Sequence, residues 1–223
     1  MLYVIGTPIG NLDDISPRAI SALNSSDLIL AEDTRVTRVL LSKYGINKPM
    51  ISYHQHSKVQ KISKIISWLK EGKTLSLVSD AGTPGINDPG NFLIQEVLKE
   101  IPDLKIVPIP GPNAAITALS ISGFPSDKFV FLGFPPHKKG RQTFFKRVGE
   151  TEETVVFYES KHRILKALKE LRELGNINGR PMVVTRELTK KFETIYRGTA
   201  GEIFDQLKET EVLGEFVIII RSR

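Results

Sequence analysis

Cysteine is absent from the 223 residues of the sequence, which excludes disulfides, thiolate zinc sites, iron–sulfur clusters and cysteine nucleophiles. Long apolar runs are missing too, since none approaches the roughly 20 residues that a membrane-spanning helix needs. No basic residue precedes the short apolar run at the N-terminus, and this is unlike a secretory signal. These absences together predict a cytoplasmic protein with no membrane segment.

The composition is that of an ordinary globular protein, with 40% hydrophobic and 25% charged residues. The formal net charge is +6, which favours a polyanionic partner. Residues 1–111 carry 12 Lys and Arg against 11 Asp and Glu, whereas residues 112–223 carry 19 against 14. Most of the positive excess therefore lies in the second half of the chain.

Short apolar runs alternate with amphipathic stretches in the first half. The pattern predicts strands at residues 2–5, 28–31, 75–79 and 106–109, and helices at 17–24, 34–43, 59–70 and 92–99. Strands that are continuous apolar runs are typical of a parallel sheet that is covered by helices on both faces. The first half is predicted to be an α/β domain with a mostly parallel sheet.

A cluster of proline and glycine at residues 108–112 predicts the junction between an N-terminal α/β domain, 1–111, and a C-terminal α/β domain, 112–223. Beyond it, strands are predicted at 129–132, 154–158, 182–185, 193–197 and 216–220, and helices at 163–174 and 200–208. Two strands follow one another closely around 182–197, which indicates a mixed sheet. The expected architecture is two α/β domains with a ligand cleft between them.

Three loops at strand ends are candidate ligand sites. The first, Gly6 to Asn11, has an internal proline and matches neither a dinucleotide nor a phosphate-loop pattern, so a purely structural turn explains it equally well. The second, residues 79–90, holds three glycines and two prolines and must be a rigid loop at the carboxyl end of a strand. In it, Asp80 and Asp88 could bind a ligand, or Asp88 could cap the next helix.

The third loop, residues 110–115, opens an alanine-rich helix. Small residues there allow a ligand to lie against the backbone, and Asn113 can cap the helix. Close packing of the helix explains the alanines equally well.

Six segments, in this order along the chain, resemble the motifs of the tetrapyrrole-methylase superfamily: GTPIGN, AEDTR, SDAGTPGINDPG, PGPNAA, FYESKHR and RELTKKFE. Within it they resemble the ribosomal RNA small-subunit methyltransferase I family, and the likeness covers essentially the whole chain. The resemblance implies S-adenosylmethionine in the interdomain cleft, a homodimer, and methylation of the ribose 2′-oxygen of a decoding-site cytidine in 16S rRNA of the small ribosomal subunit.

The resemblance also implies the cofactor-binding residues, which are Pro8, Asp80, Gly82, Thr83, Ile86, Asn113, Ala114, Ala115 and Tyr158. Two features depart from the family. Lys161 stands where proline often follows the FYES motif, and the additional C-terminal segment of many members is expected to be lacking after Arg223, which weakens the expectation of tight ribosome docking.

A ribose hydroxyl is a poor nucleophile, so methylation at its oxygen calls for a nearby proton acceptor. The catalytic candidates are Glu32 and Asp33 after the second strand, with Arg35 to orient a carboxylate or to grip a phosphate. Acidic residues are also favourable at the start of a helix, which is the structural alternative. No single base is assigned from the sequence.

His54 and His56, which lie between the predicted helices at 34–43 and 59–70, are candidates for the base or for RNA contact. A metal pair is disfavoured because no third ligand accompanies them, so no metal is predicted.

Two basic segments are predicted to bind RNA phosphates. The first contributes Lys138, Lys139 and Arg141, although a solvated helix with Phe144 and Phe145 in the core is the alternative. The second contributes Lys190 and Lys191; Glu187 in this segment is expected to pair with a neighbouring cation.

Two other functions stay open at this point. The same fold and cofactor could serve a tetrapyrrole or a protein side chain, or the chain could be a non-catalytic RNA-binding or assembly protein. The basic excess disfavours the first alternative, and the intact glycine loops disfavour the second.

Overall fold

The computed structural model describes residues 1–54, 59–177, 179–209 and 212–223. The chain divides into two compact units, Met1–Asn113 and Ala114–Arg223, each with its own five-stranded sheet. The division falls close to the proline- and glycine-rich junction. In the described part of the chain, no helix combines the length and the apolar character that a membrane crossing requires.

The first unit alternates strands and helices. Its strands are β1 (Leu2–Ile5), β2 (Leu28–Ala31), β3 (Met50–Ser52), β4 (Leu75–Val78) and β5 (Ile106–Ile109). Its helices are α1 (Pro17–Ser25), α2 (Thr34–Lys43), α3 (Val59–Lys70) and α4 (Asn91–Glu100). All neighbouring strands are parallel, in the order β3-β2-β4-β1-β5, which confirms the predicted parallel sheet.

Local sequence explains where these helices begin and which face is buried. The Ser16 side chain accepts a hydrogen bond from the Ala19 N–H at the start of α1, and Pro17 occupies the first turn, where its missing N–H costs nothing. Asp33 caps α2 in the same way. In α3 the apolar residues Val59, Ile62, Ile65, Ile66 and Leu69 follow helical spacing; the last four form its buried face, whereas Val59, in the first turn, is 75% exposed.

The strand order places a binding crevice at the carboxyl ends of β1 and β4. Helices α1 and α2 pack on one face of the sheet, with Ile5 and Ile29, while α3 and α4 pack on the other, with Leu2 and Leu75. The chain therefore leaves the adjacent strands β1 and β4 towards opposite faces. Open α/β sheets bind ligands at such a switch point.

The second unit contains a mixed sheet. Its strands are β6 (Phe129–Phe131), β7 (Thr154–Ser160), β8 (Met182–Arg186), β9 (Thr194–Gly198) and β10 (Glu215–Ile220). Its helices are α5 (Ala114–Ser120), α6 (Arg141–Glu150), α7 (Ile164–Glu173) and α8 (Ala200–Lys208). The order is β6-β7-β10-β8-β9; β6 and β7 are parallel and the other neighbours antiparallel, which confirms the predicted mixed sheet.

The core of the second unit is partly aromatic. Phe145 is buried in it, and the ring of Phe144 lies edge-on to Phe157, with centroids 5.5 Å apart. Phe145 belongs to the core and Phe144 is partly buried against it, which agrees with the alternative stated for this segment.

Candidate functional site

Three loops at the carboxyl end of the first sheet are joined through their backbones. The N–H of Thr7 donates to the carbonyl of Gly82 at 2.8 Å, and the N–H of Gly82 donates back at 3.1 Å. The Thr83 hydroxyl lies 3.4 Å from the carbonyl oxygen of Pro112, to which it donates. The structure thus brings together the three segments singled out in the sequence after β1, β4 and β5.

Gly6 and Gly111 contact each other back to back. A Cβ on Gly6 would lie 2.8 Å from the Gly111 Cα, and a Cβ on Gly111 would lie 2.5 Å from the Gly6 carbonyl oxygen. Each glycine is therefore required by the other backbone. At Gly6 this contact supports the structural alternative, because the residue closes a contact between two loops.

The loop between β4 and α4 is bent by left-handed residues. Gly82, Gly85 and Asn87 have φ between 63° and 83°, and the Asn91 amide donates to the Gly85 carbonyl at 2.8 Å. Helix α4 has Gly90 at its N-cap, so Asp88 is not the capping residue. Ile86 presents an exposed apolar side chain on this loop, whereas Pro8 on the neighbouring loop is buried.

Three carboxylates gather where the neighbouring strands β2 and β4 end. The N–H of Asp33 donates to Oδ1 of Asp80 at 2.8 Å, and the N–H of Asp80 lies 3.4 Å from Oε2 of Glu32, to which it donates. Sequence reasoning assigned Glu32 and Asp33 to catalysis and Asp80 to the cofactor. The strand order unites them in one carboxylate cluster, which comprises Glu32, Asp33 and Asp80.

The members of the carboxylate cluster differ in their electrostatics. Hydrogen bonds from the Arg35 guanidinium, with Nε at 3.0 and 3.1 Å from the two oxygens, hold the pKa of Asp33 at about 2. Burial raises the pKa of Glu32 and of Asp80 above their ordinary values. Asp33 is therefore a permanently charged helix cap, as the structural alternative proposed for it, while Glu32 is the better proton acceptor.

The structure describes one of the two candidate histidines. The charge of His54 acts on Glu32 and lowers its pKa, by less than burial raises it. His56 lies outside the described residues. Across the four described ranges, no three His, Asp or Glu side chains converge closely enough to hold a metal ion.

The donor set of this crevice fits S-adenosylmethionine. Asp80 is an exposed hydrogen-bond acceptor of the kind that an ammonium or a ribose diol requires, and Ile86 is an exposed apolar surface 47% accessible to solvent. The backbones around Gly82 are already paired with each other, which keeps the crevice rigid without the ligand.

In the second unit, two further residues implied by the resemblance lie together. The N–H of Ala115, in the first turn of α5, donates to the Tyr158 hydroxyl at 3.2 Å. The Tyr158 ring packs on Phe131 and Phe134, with centroids 5.0 and 5.4 Å away. Both the hydroxyl and the ring of Tyr158 are therefore held in place. Ala114 is the first residue of α5.

The first basic segment is corrected at one position. Lys138 and Lys139 are exposed, but Arg141 is only 4% exposed, and its guanidinium contacts Glu159 and Glu170. A buried arginine that is engaged by two carboxylates is not a surface cation. Arg141 therefore does not belong with the exposed lysines that are predicted to contact RNA, and its partners were too distant in sequence for the pattern to reveal.

The second basic segment presents an aromatic ring that the sequence analysis did not select. Lys190 contacts Glu187 and Glu215 at 3.0 Å each, which confirms the internal pairing expected for Glu187. Lys191 is exposed, with Nζ 5.5 Å from the ring centroid of Phe192, a residue 65% exposed. The signal that could have found Phe192 is an aromatic residue inside a charged loop between two strands.

Comparison with known proteins gives concordant results. The family model for Tetrapyrrole (Corrin/Porphyrin) Methylases matches residues 1–203. A ribosomal RNA small subunit methyltransferase I from Escherichia coli O157:H7 is 46% identical, over 99% of this chain and 77% of the relative. The protein of that name from Thermotoga maritima is 41% identical, over 100% of this chain and 98% of the relative.

The fold also matches a solved structure. The cobalamin biosynthetic enzyme cobalt precorrin-4 methyltransferase superposes with a TM-score of 0.69 at 19% identity, covering 99% of this chain and 94% of that one. At this identity the likeness shows the fold alone. The family model and the full-length relatives agree, and the chain therefore belongs to the ribosomal RNA small subunit methyltransferase I family, within the tetrapyrrole methylases.

Proposed function

We propose that this methyltransferase methylates the ribose 2′-oxygen of a cytidine in the decoding region of 16S rRNA, with S-adenosylmethionine as the methyl donor. The observation that carries the proposal is the carboxylate cluster, which sets a raised-pKa glutamate beside a ligand crevice. The names of its relatives supply the substrate class. A cytoplasmic location, which such a substrate supports, and a homodimer, which the family resemblance implies, are part of the proposal.

The loops of the first unit are proposed to hold the cofactor, which when bound supplies an activated methyl group. Asp80 accepts hydrogen bonds from its polar groups, and Ile86 covers an apolar part of it. Gly82 and Thr83 shape the crevice through their hydrogen bonds to Thr7 and to the Pro112 carbonyl, and Pro8 and Asn113 directly follow these two partners in the chain. Ala114, Ala115 and Tyr158 remain cofactor residues that the resemblance implies.

Glu32 is proposed as the group that accepts the proton of the ribose hydroxyl. Asp33 is unsuited to this role, because Arg35 keeps it charged and its Oδ1 caps α2. Burial raises the pKa of Glu32, which makes its carboxylate a stronger proton acceptor than an exposed one. Arg35 then orients Asp33, and both hold the end of β2 in place.

The exposed basic residues of the second unit are proposed to bind the RNA backbone. Lys138, Lys139 and Lys191 are available for phosphates, and the Phe192 ring offers a stacking surface for an unpaired base. Lys190 is held by two carboxylates and shapes its loop. His54 and His56 remain proposed RNA contacts of the first unit.

The decisive experiment measures transfer of labelled methyl groups to unmodified small ribosomal subunits and, in parallel, to naked 16S rRNA. Mass mapping of nuclease fragments locates the product. A 2′-O-methyl group on a decoding-region cytidine is expected. Transfer to a precorrin-type substrate or to a ribosomal protein, with none to RNA, would overturn the proposed acceptor, and tight RNA binding without S-adenosylmethionine binding would overturn the enzymatic assignment.

A further inference from the structure

The segment that carries Lys138 and Lys139 is held by two arginines at successive carbonyl groups. Nη1 of Arg163 donates to the Pro135 carbonyl at 3.2 Å, and Nη1 of Arg141 donates to the Pro136 carbonyl at 3.3 Å. Proline has no N–H to donate, so the carbonyls are the polar backbone groups by which these two residues can be held. These two hydrogen bonds fix the backbone two residues before Lys138, the first of the two exposed lysines.

Both arginines are anchored by one buried carboxylate. Glu159, at the end of β7, is 0% exposed; its Oε1 lies 3.0 Å from Nε of Arg163 and its Oε2 lies 3.3 Å from Nη1 of Arg141. The N–H of Ser160 donates to Oε1 as well, at 2.7 Å. Glu159 therefore fixes the direction of two guanidinium groups at once.

Glu170 on α7 completes the set from the other side. Nε of Arg141 donates to its two oxygens at 3.1 and 2.9 Å, and Nη2 lies 2.7 Å from Oε2 in ion-pair contact. We call Arg141, Glu159, Arg163 and Glu170 the ion network. It is neutral, and its members come from the end of β7, the start of α6, and α7 with the residue before it.

A buried ion network is a poor way to gain stability alone, because desolvation offsets most of the attraction and apolar side chains of similar volume serve as well. What guanidinium groups add is a planar set of donors with fixed directions. Here those donors end on the backbone of the lysine segment. On the far side of the lysines, Gly140 adopts a left-handed conformation, with φ 87°, as the N-cap of α6. Lys138 and Lys139 therefore lie in a short segment whose backbone is constrained on both sides, by the arginines at Pro135 and Pro136 and by Gly140.

We propose that the ion network positions Lys138 and Lys139 to bind the phosphate backbone of the RNA substrate, with Glu159 as the positioning residue. The proposal rests on the function proposed above. It assigns the Glu and Arg of the FYESKHR segment to RNA binding through the lysine loop.

The test compares Glu159→Gln with Glu173→Gln, a matched change at an exposed carboxylate on α7. For Glu159→Gln, the KM for small subunits is expected to rise about tenfold, and the salt slope of 16S rRNA binding to fall by about 0.7 for each phosphate that the lysines no longer neutralise. The kcat and the affinity for S-adenosylmethionine should stay within about twofold, because the change acts on the lysine loop, while the neighbouring Tyr158 is held by its own contacts with Ala115, Phe131 and Phe134. Trypsin should cleave after Lys138 and Lys139 faster than in the wild type and in the control.

A second comparison separates positioning from general damage to the fold. In a Lys138→Ala/Lys139→Ala background, Glu159→Gln should raise the KM no further, because the residues it positions are already gone. An equal rise in both backgrounds would overturn the proposal. Arg163→Lys keeps the charge but loses the donor to Pro135, and it should show the same losses in weaker form; this variant replaces Glu159→Gln if the latter does not fold.

The two proposals fail in different ways. If the wild type transfers no methyl group to RNA, the proposed function fails, while rRNA binding and trypsin cleavage still measure the effect of the ion network. If the wild type is active and Glu159→Gln leaves RNA binding, KM and cleavage unchanged, the positioning role alone is wrong.

Discussion

The two units place their charged residues differently. At the carboxyl end of the first sheet, carboxylates gather and are partly screened from water, and a single arginine engages one of them. In the second unit Lys138, Lys139 and Lys191 are exposed loop cations, and the buried carboxylate of Glu159 holds two arginines. The difference teaches that net charge alone hides two roles, since Glu32 and Asp80 in the first unit lie at the strand ends where open α/β sheets bind ligands, whereas Glu159 in the second is buried against arginines.

The largest effect is expected from Glu32→Gln, which removes the proposed proton acceptor. The rate of methyl transfer to small subunits should fall by about 10²–10⁴. Calorimetry should show S-adenosylmethionine binding close to wild type, and Glu71→Gln, at an exposed helix end, serves as the matched control. Full activity in Glu32→Gln together with loss in Asp80→Asn would transfer the role to Asp80.

A large effect on stability is expected from Arg141→Ala. Its removal leaves Glu159 buried with one arginine fewer, which costs about 3–5 kcal/mol for buried pairs of this kind. Urea unfolding at neutral pH measures it. Lys99→Ala breaks an exposed pair with Glu96 and should cost less than about 1 kcal/mol. Equal losses of unfolding free energy in the two variants would show that the buried and the exposed ion pair contribute alike to stability, which would contradict this prediction.

A smaller, separable pair of effects is expected at the second basic segment. Lys191→Ala should weaken binding of 16S rRNA several-fold, with a flatter salt dependence, and leave the unfolding midpoint unchanged. Lys190→Ala should lower the midpoint instead, because Glu187 and Glu215 lose their shared cation. Filter binding and urea unfolding of both variants check this, and a reversed pattern would show that Lys190 is the RNA contact.

The smallest effects are pH-dependent and opposite in sign within the carboxylate cluster. The folded pKa of Asp33 is depressed to about 2 from 3.8, so its contribution to stability is present above 3.8 and is lost as the pH falls towards 2. The folded pKa of Glu32 is raised, so its charge destabilises the fold at neutral pH, and this penalty disappears on acidification.

Thermal unfolding of Asp33→Asn and Glu32→Gln between neutral pH and pH 2 measures both signs. The first variant should be less stable than the wild type at neutral pH and the second more stable, and both differences should shrink in acid. Stability differences of the same sign at neutral pH would contradict the opposite pKa shifts of Asp33 and Glu32.

Local signals explain which parts of the fold could be predicted from the sequence. Helix α2 is correct to the residue, because Asp33 caps it and the apolar spacing continues to Lys43. The hairpin of β8 and β9 followed from two apolar runs separated by a short loop. These features depend on neighbours in sequence, and so their physical causes are visible in it.

Long-range pairing explains what the sequence could not show. Arg141 looked like a surface cation among lysines because Glu159 and Glu170 lie 18 and 29 residues further along the chain. Asp80 joined Glu32 only because β4 lies beside β2, which is a property of strand order. The sequence leaves the loop from Gly6 to Asn11 open between a ligand site and a structural turn, because Gly111, the partner of Gly6, comes from the last loop of the same unit.

The position of β10 has a consequence for how the chain folds during synthesis. Among the strands of the described residues this one comes last in sequence, but it lies in the middle of its sheet, paired to both β7 and β8. Until residues 215–220 emerge from the ribosome, β6–β7 and β8–β9 are separate pairs with unfilled edges, whereas the first unit is already complete. Until then the edges of β7 and β8 that β10 will occupy are unpaired. The nascent second unit is most vulnerable to aggregation in this interval.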